Sequence, residues 1–384
     1  MKIFKDEPNI NFMNKRYYAF LVSGLLIIAG VILFVTKDFN LGIDFTGGTM
    51  IEVSYREDIS VNQLRNSLKA MGLGKSLIQR VGEENKFFIK IMRDIETADE
   101  EAEASGEKKG FIAQLKESMM NDEDRRLNAE KIDLNDIAEM RLVDFLVSKG
   151  ISEEVAKDNA AKLTAYTTEH EMIKDFSELD NLDLKKRVIS ILKEDTFLGR
   201  FIFLSTESVG PQVGHNLRGK VTRAAIYALL GMLIYIAVRF RFIFGLAAVI
   251  TLLHDVLITL TAILLFNVEV SLHVVAAILT IVGYSLNDTI VIFDRVRDNL
   301  KLMRREKSEV ILDRSINNTL SRTVVTSGTT LLVVIALFFF GGEVIHAFSF
   351  TLLVGIIVGT YSSIFQSCAW LKVWEKKLLG RKKT

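Results

Sequence analysis

The sequence predicts an α-helical integral membrane protein with six transmembrane helices and one α+β domain outside the membrane. Hydrophobic residues make up 49% of the 384 residues although 25% are charged, so apolar and charged blocks must alternate along the chain. The apolar residues form six runs, each near or above the roughly 20 residues that span a bilayer. These runs are 17–35, 224–238, 242–266, 268–293, 323–340 and 344–370.

The first run is predicted to stay in the membrane as an uncleaved helix, because the following TKDFNLGID has no small-residue cleavage site. Lys and Arg are concentrated before the first run, between the fourth and fifth runs, and after the sixth. Basic loops face the cytoplasm, so both termini are predicted there. The predicted segments are a cytoplasmic N-terminus at 1–16, the first helix at 17–36, an extracytoplasmic domain at 37–220, helices two to six at 221–372 and a basic cytoplasmic tail at 373–384.

The extracytoplasmic segment carries strands and helices in the order of a split β-α-β-β-α-β, or ferredoxin-like, domain. Alternating side chains predict strands, and a capping box followed by apolar residues at helical spacing predicts a helix. The predicted elements are strand 47–56, a helix that starts at the capping box 60–63, strands 77–81 and 86–92, a helix at 184–192 and strand 201–206.

Between the two halves of this domain, residues 94–182 are predicted to be a helical insertion rich in Asp, Glu, Lys, Met and Ala. Phe111, Leu115 and Met119 keep helical spacing. Two interpretations are open: a solvated helical subdomain with a small core of its own, or a docking surface for another protein. The stretch ADEEAEASGEKK (98–109) has the composition of a flexible segment.

Polar residues inside the predicted spans are the candidate functional residues. The stretch IVGYSLNDTIVIF (281–293) contains Asp288, and a carboxylate at a helix centre costs at least about 2.5–3.5 kcal/mol on insertion scales. Tyr284 and Ser285 share a helical face with Asp288, and Asn287 lies beside it. Interhelical hydrogen bonds in membranes return only about 0.6 kcal/mol on average. We therefore expect Asp288 to do more than hold helices together.

Two further spans carry polar groups of this kind. Asp255 lies halfway along the third span, where either a function or a structural hydrogen bond would explain it. In the fifth span Arg322 shares a face with Thr326 and Thr330, and the threonines are expected to bond to their own helix. Arg322 either snorkels to the interface or pairs with Asp288, which lies at a similar depth. In the sixth span a G-x-x-x-G pattern predicts close helix packing.

A buried acid beside a movable arginine is a minimal device for using a proton gradient. The acid takes up and releases a proton, and the approach or withdrawal of the arginine couples this step to helix movement. The hypothesis makes Asp288 and Arg322 the proton-transport pair, with Asp255 as a third member. Carboxylate and threonine oxygens also coordinate sodium, so the choice of ion stays open.

Several classes of function lack a sequence signal. No P-loop GxxxxGK[ST] and no nucleophile–base arrangement stands out, so neither an ATPase nor another enzyme is expected. The single cysteine, Cys368, excludes intrachain disulfides and Cys-based metal sites, and no metal or cofactor is expected. The net charge of +1 provides no general attraction for nucleic acid.

Several stretches resemble the SecD/SecF family of protein-export membrane proteins, in the order of its SecF branch. The match covers about residues 17–93 and 184–372. The first motif, LGIDFTGGT (41–49), contains Gly42, Asp44, Gly47 and Gly48. The later motifs are ESVGPQVGHNL (207–217), LLHDV (252–256), TIVGYSLNDTIVIFDRVRDN (280–299), NNTLSRTVVTSGTTLL (317–332), FFFGGEVIHAF (338–348) and GTYSSIF (359–365).

The resemblance implies a six-helix half of the resistance-nodulation-division superfamily, paired with a pseudo-symmetric SecD in the bacterial cytoplasmic membrane. It also implies assistance to the SecYEG channel, with unfolded preproteins pulled from the extracytoplasmic side by the proton motive force. In that picture Asp288 takes part in proton transport, Arg322 is its functional neighbour, and Asp255 matches the aspartate of the family's HDV motif. The 94–182 insertion departs from the family pattern, so its contacts are not implied.

Two other functions are open from the residues alone. One is a proton-coupled transporter of lipids or small molecules on the same superfamily fold. The other is a structural assembly subunit whose polar residues only hold helices together. Superfamily pumps that work alone usually have two six-helix halves, whereas this chain has one, so a partner or a second copy is expected.

Overall fold

The computed structural model describes residues 8–81, 85–92 and 110–374, except for the side chains of residues 343 and 344. The flexible stretch predicted at 98–109 and nearly all of the basic tail lie outside the described residues. The chain divides into two compact units: a membrane unit, Met1–Phe45 with Asn216–Thr384, and a second unit, Thr46–His215.

The described residues form helices and strands in the following order. The helices are α1 (Arg16–Thr36), α2 (Ile43–Thr46), α3 (Val61–Lys69), α4 (Phe111–Met119), α5 (Asp122–Glu130), α6 (Glu139–Ser148), α7 (Glu153–His170), α8 (Lys186–Asp195), α9 (Pro211–Arg239), α10 (Phe242–Leu265), α11 (Leu272–Leu302), α12 (Ser308–Phe340), α13 (Gly342–Phe365) and α14 (Ser367–Val373). The strands are β1 (Gly48–Tyr55), β2 (Leu77–Val81), β3 (Lys86–Ile91), β4 (Ile132–Asp133), β5 (Thr196–Phe197) and β6 (Phe201–Val209).

Within the described residues, α1 and α9 to α13 are the six helices long and apolar enough to cross a membrane, which confirms the six predicted spans. Helices α9, α11 and α12 extend well beyond their apolar runs, α9 because it already begins at Pro211. Helix α11 continues to Leu302, and α12 begins at Ser308. Their polar ends stay helical because they pack on each other: Asn299 donates a hydrogen bond to Ser315 Oγ (2.9 Å), and both side chains are buried.

Helix α10 lies at the centre of the membrane unit and packs against α1, α11 and α13, while α12 packs against α11 and α13. Glycines permit the closest of these approaches. A Cβ atom at Gly30 of α1 would collide with Thr261 of α10, and one at Gly355 of α13 would collide with Ile281 of α11. The predicted packing role of the G-x-x-x-G pattern, Gly355 with Gly359, is therefore confirmed.

The second unit contains a four-stranded antiparallel sheet in the order β2-β3-β1-β6. Ser60 and Gln63 form the predicted capping box at the start of α3. Helices α3 and α4 bury Leu64, Leu68 and Leu115 in the same core as the sheet residues, which include Ile51 and Ile89.

A second hydrophobic core holds α6, α7 and α8 together, with Leu146, Leu163 and Leu192 among its buried residues. This corrects one part of the sequence interpretation. The helix predicted at 184–192 is present as α8 but belongs to this second core, whereas α4, assigned by sequence to the insertion, covers the sheet. Both helices carry similar apolar stripes, and a stripe does not specify which surface it will cover.

Candidate functional site

Asp288 is buried in α11, where three membrane helices meet. The residue is 3% exposed. Among the described residues its carboxylate accepts one side-chain hydrogen bond, a long one of 3.4 Å from Ser327 Oγ of α12. Thr360 of α13 donates to the same serine oxygen at 2.8 Å. The carboxylate is thus held weakly by one side chain on a neighbouring helix.

Three buried hydroxyl groups on α11 and α12, within about one turn of Asp288 or of its partner Ser327, have no hydrogen-bond partner among the described residues. Within the described residues they belong to Tyr284, one turn before Asp288, to the adjacent Thr289, and to Thr323, one turn before Ser327. Threonine hydroxyls in helices ordinarily bond to the backbone one turn earlier, so orphaned ones are unusual. Groups of this kind are satisfied by water or an ion in a polar cavity.

Arg322 lies near enough to Asp288 to act on it electrostatically. Its side chain is exposed and, within the described part of the chain, makes no hydrogen bond and no ion pair within 4.0 Å. The structure therefore places the two predicted partners near each other but not in contact. Asn287 is also exposed, so the amide faces away from the buried carboxylate beside it in sequence.

Asp255 of α10 has the opposite environment. It is fully buried, and both carboxylate oxygens are bonded. One oxygen meets His254 Nδ1 at 2.8 Å, and the other accepts from Ser362 Oγ of α13 at 2.7 Å and from Ser285 Oγ of α11. Ser285 was predicted to support Asp288 because the two share a helical face, but its hydroxyl donates a hydrogen bond to Asp255.

The hydrogen bonds continue from Asp255 to α1. His254 Nε2 lies 2.8 Å from Ser23 Oγ, and Gln366 Nε2 donates to the same oxygen at 2.8 Å. Gln366 and the Tyr361 hydroxyl each donate to the carbonyl oxygen of Ala19 at 3.1 Å. We call these residues with Asp255, Ser285 and Ser362 the Asp255 cluster; it joins α1, α10, α11 and α13.

Sequence reasoning missed most members of this cluster. Ser23, Ser362 and Gln366 each interrupt an apolar run, which was the available signal, but small polar residues are common in membrane helices. The predicted threonines behave as expected and bond within α12: Thr326 donates to the carbonyl of Arg322 (2.9 Å) and Thr330 to that of Thr326 (2.9 Å).

The motif glycines and aspartate lie at the end of the first span. Gly42 and Asp44 contact the start of α11, where an Asp44 carboxylate oxygen accepts from the backbone N–H of Leu272 at 2.8 Å. Gly47 and Gly48 have φ angles of 70° and 115°, in the left-handed region that favours glycine. Among the described residues, no cluster of three or more His, Cys, Asp or Glu side chains could hold a metal ion.

Comparison with known protein families gives two matches. Residues 191–377 match the protein export membrane protein SecD/SecF C-terminal family, and residues 32–59 match the SecD/SecF GG motif. The protein translocase subunit SecF of Koribacter versatilis is 36% identical, and the alignment covers 98% of this chain and 94% of that protein. The SecF of Escherichia coli O157:H7 is 31% identical over 94% of this chain and 86% of its own.

Two solved structures of SecDF have a similar fold. The crystal structure of SecDF from Thermus thermophilus, titled a translocon-associated membrane protein, matches 97% of this chain with a TM-score of 0.65 and 31% identity. SecDF in a super-membrane-facing form matches 98% of this chain with a TM-score of 0.55 and 30% identity. The chain spans 40% of the length of each SecDF chain.

Proposed function

The chain belongs to the SecD/SecF family of protein export membrane proteins, and from this premise we propose that it is an accessory subunit of the Sec protein translocase. It works with SecD to promote the export and release of proteins crossing the membrane, and the proton motive force drives this work. The similarity to SecF proteins over nearly the full chain supports the translocase role.

The proposed setting is the bacterial cytoplasmic membrane, with both termini in the cytoplasm and the large domain outside. The proposed partners are SecD, the SecYEG channel and unfolded preproteins. Two facts support a SecD partner: the similar structures contain SecD and SecF parts in one chain, and this chain spans two fifths of their length. The placement of Lys and Arg supports the orientation.

The sheet and its two helices are proposed to be a ferredoxin-like domain. The support is the order β1-α3-β2-β3-α4-β6 along the chain together with the sheet order β2-β3-β1-β6. Helices α5 to α8 then form the insertion, between α4 and β6. This places the insertion later in the chain than the sequence pattern suggested.

One observation supports the proposal for proton coupling: Asp288 is buried among membrane helices, yet within the described part of the chain its side chain has a single, long hydrogen bond. A carboxyl held this loosely can gain or lose a proton without breaking a network. The orphaned hydroxyls of Tyr284, Thr289 and Thr323 offer positions for water molecules that would pass the proton on. Arg322, nearby and free of other partners among the described residues, would approach the ionised form and withdraw from the neutral one.

The predicted proton-transport role of Asp255 stays a prediction. Its hydrogen bonds favour the structural alternative, because any change of protonation would disturb donors on three helices. The proposal therefore assigns proton uptake to Asp288 and helix assembly to Asp255.

The test uses membrane vesicles that contain this chain, SecD and SecYEG, with proton and sodium gradients imposed separately. Export of a signal-bearing preprotein should be stimulated by the proton gradient in the wild type and not in Asp288→Asn. Asp294→Asn is the matched control, because Asp294 lies six residues later in α11, where its half-buried side chain forms ion pairs with Arg297 (2.9 Å) and Arg239 (3.4 Å). Full stimulation in Asp288→Asn would exclude this residue as the proton carrier. Stimulation by the sodium gradient alone would mean that sodium, and not the proton, is the ion that drives export.

A further inference from the structure

We propose that residues 37–44, which we call the strap, tie the chain entering the extramembrane domain to the first turn of α11. Asp44 is the positioning residue of this tie. The inference rests on the proposed function, since it explains how movement of the domain would be coupled to the helix that carries Asp288. The motif LGID was singled out by sequence but has no part in the proton chemistry above.

The centre of the strap is a short piece of two-stranded structure. Leu41 forms a parallel bridge with Val270, in the connection between α10 and α11. The backbone N–H of Gly42 donates to the Val270 carbonyl at 2.8 Å, and the N–H of Val270 donates to the Asn40 carbonyl at 2.7 Å. The strap therefore adds a short parallel strand to this connection.

Two charged side chains fasten the ends of the strap to two helix termini. Lys37 Nζ donates to the Leu264 carbonyl at the C-terminus of α10 (3.1 Å), and Asp44 accepts from the N–H of Leu272 at the N-terminus of α11 (2.8 Å). Each charge is opposite to the partial charge of the helix end that it contacts, so both contacts are favourable. The strap therefore contacts the C-terminus of α10 through a positive side chain and the N-terminus of α11 through a negative one.

Gly42 permits this close approach. A Cβ atom at that position would lie 3.1 Å from the Val270 carbonyl oxygen and 3.2 Å from the Glu269 carboxylate. Both distances are tighter than ordinary contacts, so a larger residue would push the strap away from the connection. The lack of space for a Cβ atom is the physical reason for a glycine at position 42 of the motif.

The strap joins two elements that the proposed function needs to move together. On one side, the chain passes from Asp44 through Gly47 and Gly48 directly into β1, an inner strand of the sheet. On the other, α11 is one continuous helix from Leu272 to Asp288, about 24 Å at 1.5 Å per residue. Displacement of the chain at β1 would thus pull on the helix that holds the proton site.

The first test compares three variants in the vesicle assay. Asp44→Ala removes the acceptor and should lower gradient-driven export at least about fivefold, as expected for the loss of a charged hydrogen bond. Asp44→Asn keeps an acceptor oxygen and should retain most of the export. Glu57→Ala, at an exposed carboxylate that follows β1 and lies outside the strap, is the matched control and should behave as wild type.

Proton flux separates coupling from simple structural damage. In Asp44→Ala the flux that depends on Asp288 should persist while export falls, because the proton site is intact and only its mechanical link is broken. A parallel fall of flux and export, or unchanged export in Asp44→Ala, would overturn the inference. If Asp288→Asn keeps both flux and export, the proposed function fails instead, and the two failures are distinguishable.

A disulfide provides an independent test that does not depend on how well Asp44→Ala folds. Bridge partners in neighbouring strands lie about 4.8 Å apart, which a disulfide can span, so Leu41→Cys with Val270→Cys should close the strap covalently. The native Cys368 is fully buried and does not compete. The oxidised form should export as well as the reduced form, and it should restore export to Asp44→Ala. Loss of export on oxidation, or no rescue, would overturn the inference.

Discussion

Asp255 and Asp288 are buried carboxylates on neighbouring membrane helices, yet their surroundings differ in almost every respect. Asp255 has side-chain partners from its own helix, α11 and α13, and the hydrogen bonds continue to α1. Among the described residues Asp288 has one side-chain hydrogen bond, of 3.4 Å, with orphaned hydroxyls within about a turn of it or of Ser327 and an exposed arginine nearby. Burial alone would have given both residues the same interpretation.

Under the proposed function, the number of hydrogen bonds, more than burial, distinguishes the structural acid Asp255 from the functional acid Asp288. A carboxylate with both oxygens bonded is part of the helix packing, and its donors would be stranded if it changed state. A carboxylate with one weak bond has no such constraint. Each experiment below either separates the two residues further or shows that they are equivalent.

The largest expected effect is on the stability of Asp255→Ala. Removing this carboxylate leaves the buried donors of His254 and Ser285 without their acceptor and leaves Ser362 only the Gly359 carbonyl (3.1 Å), which should lower the free energy of unfolding by about 3–5 kcal/mol. Asp288→Ala removes one long bond and should lower it by less than about 1 kcal/mol. Unfolding of the purified chain in detergent micelles measures both. Equal losses would remove the basis for the comparison.

The sequence predicted the membrane half of the fold well because its signal is local. An apolar run long enough to span a bilayer needs no knowledge of its neighbours, and all six spans were found. The position of α8 was predicted wrongly for the opposite reason: which of two amphipathic helices covers the sheet depends on contacts distant in sequence. The strand order could not be derived from alternation alone.

The candidate site likewise contains residues that the sequence predicted and residues that only the fold brings together. Asp288, Asp255 and Arg322 stand out in sequence because ionised groups are rare in membrane helices. Ser285 shares helical faces with Asp288, so spacing assigned it there, but the packing of α10 against α11 gives its hydroxyl to Asp255. Ser23 and Gln366 lie more than 340 residues apart and are joined only by the fold. Spacing within one helix cannot predict such pairs.

Asp133, a carboxylate outside the membrane spans, provides a reference for the comparison of Asp255 with Asp288. Its Oδ1 accepts from the N–H groups of Asn135 and Gly199, both at 3.0 Å, and burial raises its pKa to about 6. Because the pKa is higher in the folded state, this group stabilises the fold fully below pH 4, and that contribution is lost as the pH rises through about 6. Asp133→Asn should therefore become more stable than wild type between pH 4 and pH 7, by about 2–3 kcal/mol.

Hydrogen exchange at the Asn135 and Gly199 amides, corrected for the intrinsic rate at each pH, measures this difference. Asp122→Asn is the control, because Asp122 is fully exposed and its substitution should leave the exchange of these two amides as in the wild type. If Asp133→Asn keeps the wild-type pH dependence of amide exchange, a buried carboxylate with only one oxygen hydrogen-bonded does not titrate. The interpretation of Asp288 as a proton carrier would then lose support.

A smaller effect is expected where α11 meets α13, the interface that both membrane carboxylates share. Gly355→Ala places a methyl group against Ile281 and should destabilise the chain by about 1–3 kcal/mol. Gly283→Ala in α11 is the matched control, since nothing lies within 4 Å of the added atom and alanine is the better helix former. Thermal unfolding in micelles compares them. Similar stability in both variants would mean that the interface is loose and that neither carboxylate depends on it.

The smallest expected effect comes from Ser23, which together with the Ala19 carbonyl links α1 to the rest of the Asp255 cluster. Ser23→Ala removes its bonds to His254 and Gln366 and a long one of 3.4 Å to the Tyr361 hydroxyl, but Gln366 and Tyr361 keep the Ala19 carbonyl, so the loss should be about 0.6–1 kcal/mol. Ser363→Ala is the control, because the hydroxyl of this buried serine donates within α13, to the Thr360 carbonyl, and its loss should cost less.

The same variant also decides between the two roles of Asp255. If Asp255 only holds helices together, Ser23→Ala should leave proton-driven export at the wild-type level, because no proton has to pass from Asp255 through His254 to α1. If Asp255 carries protons along this chain of hydrogen bonds, cutting the chain at Ser23 should lower export far more than the small loss of stability explains. That result would make the fully bonded acid a transport group as well, and hydrogen-bond number would no longer separate it from Asp288.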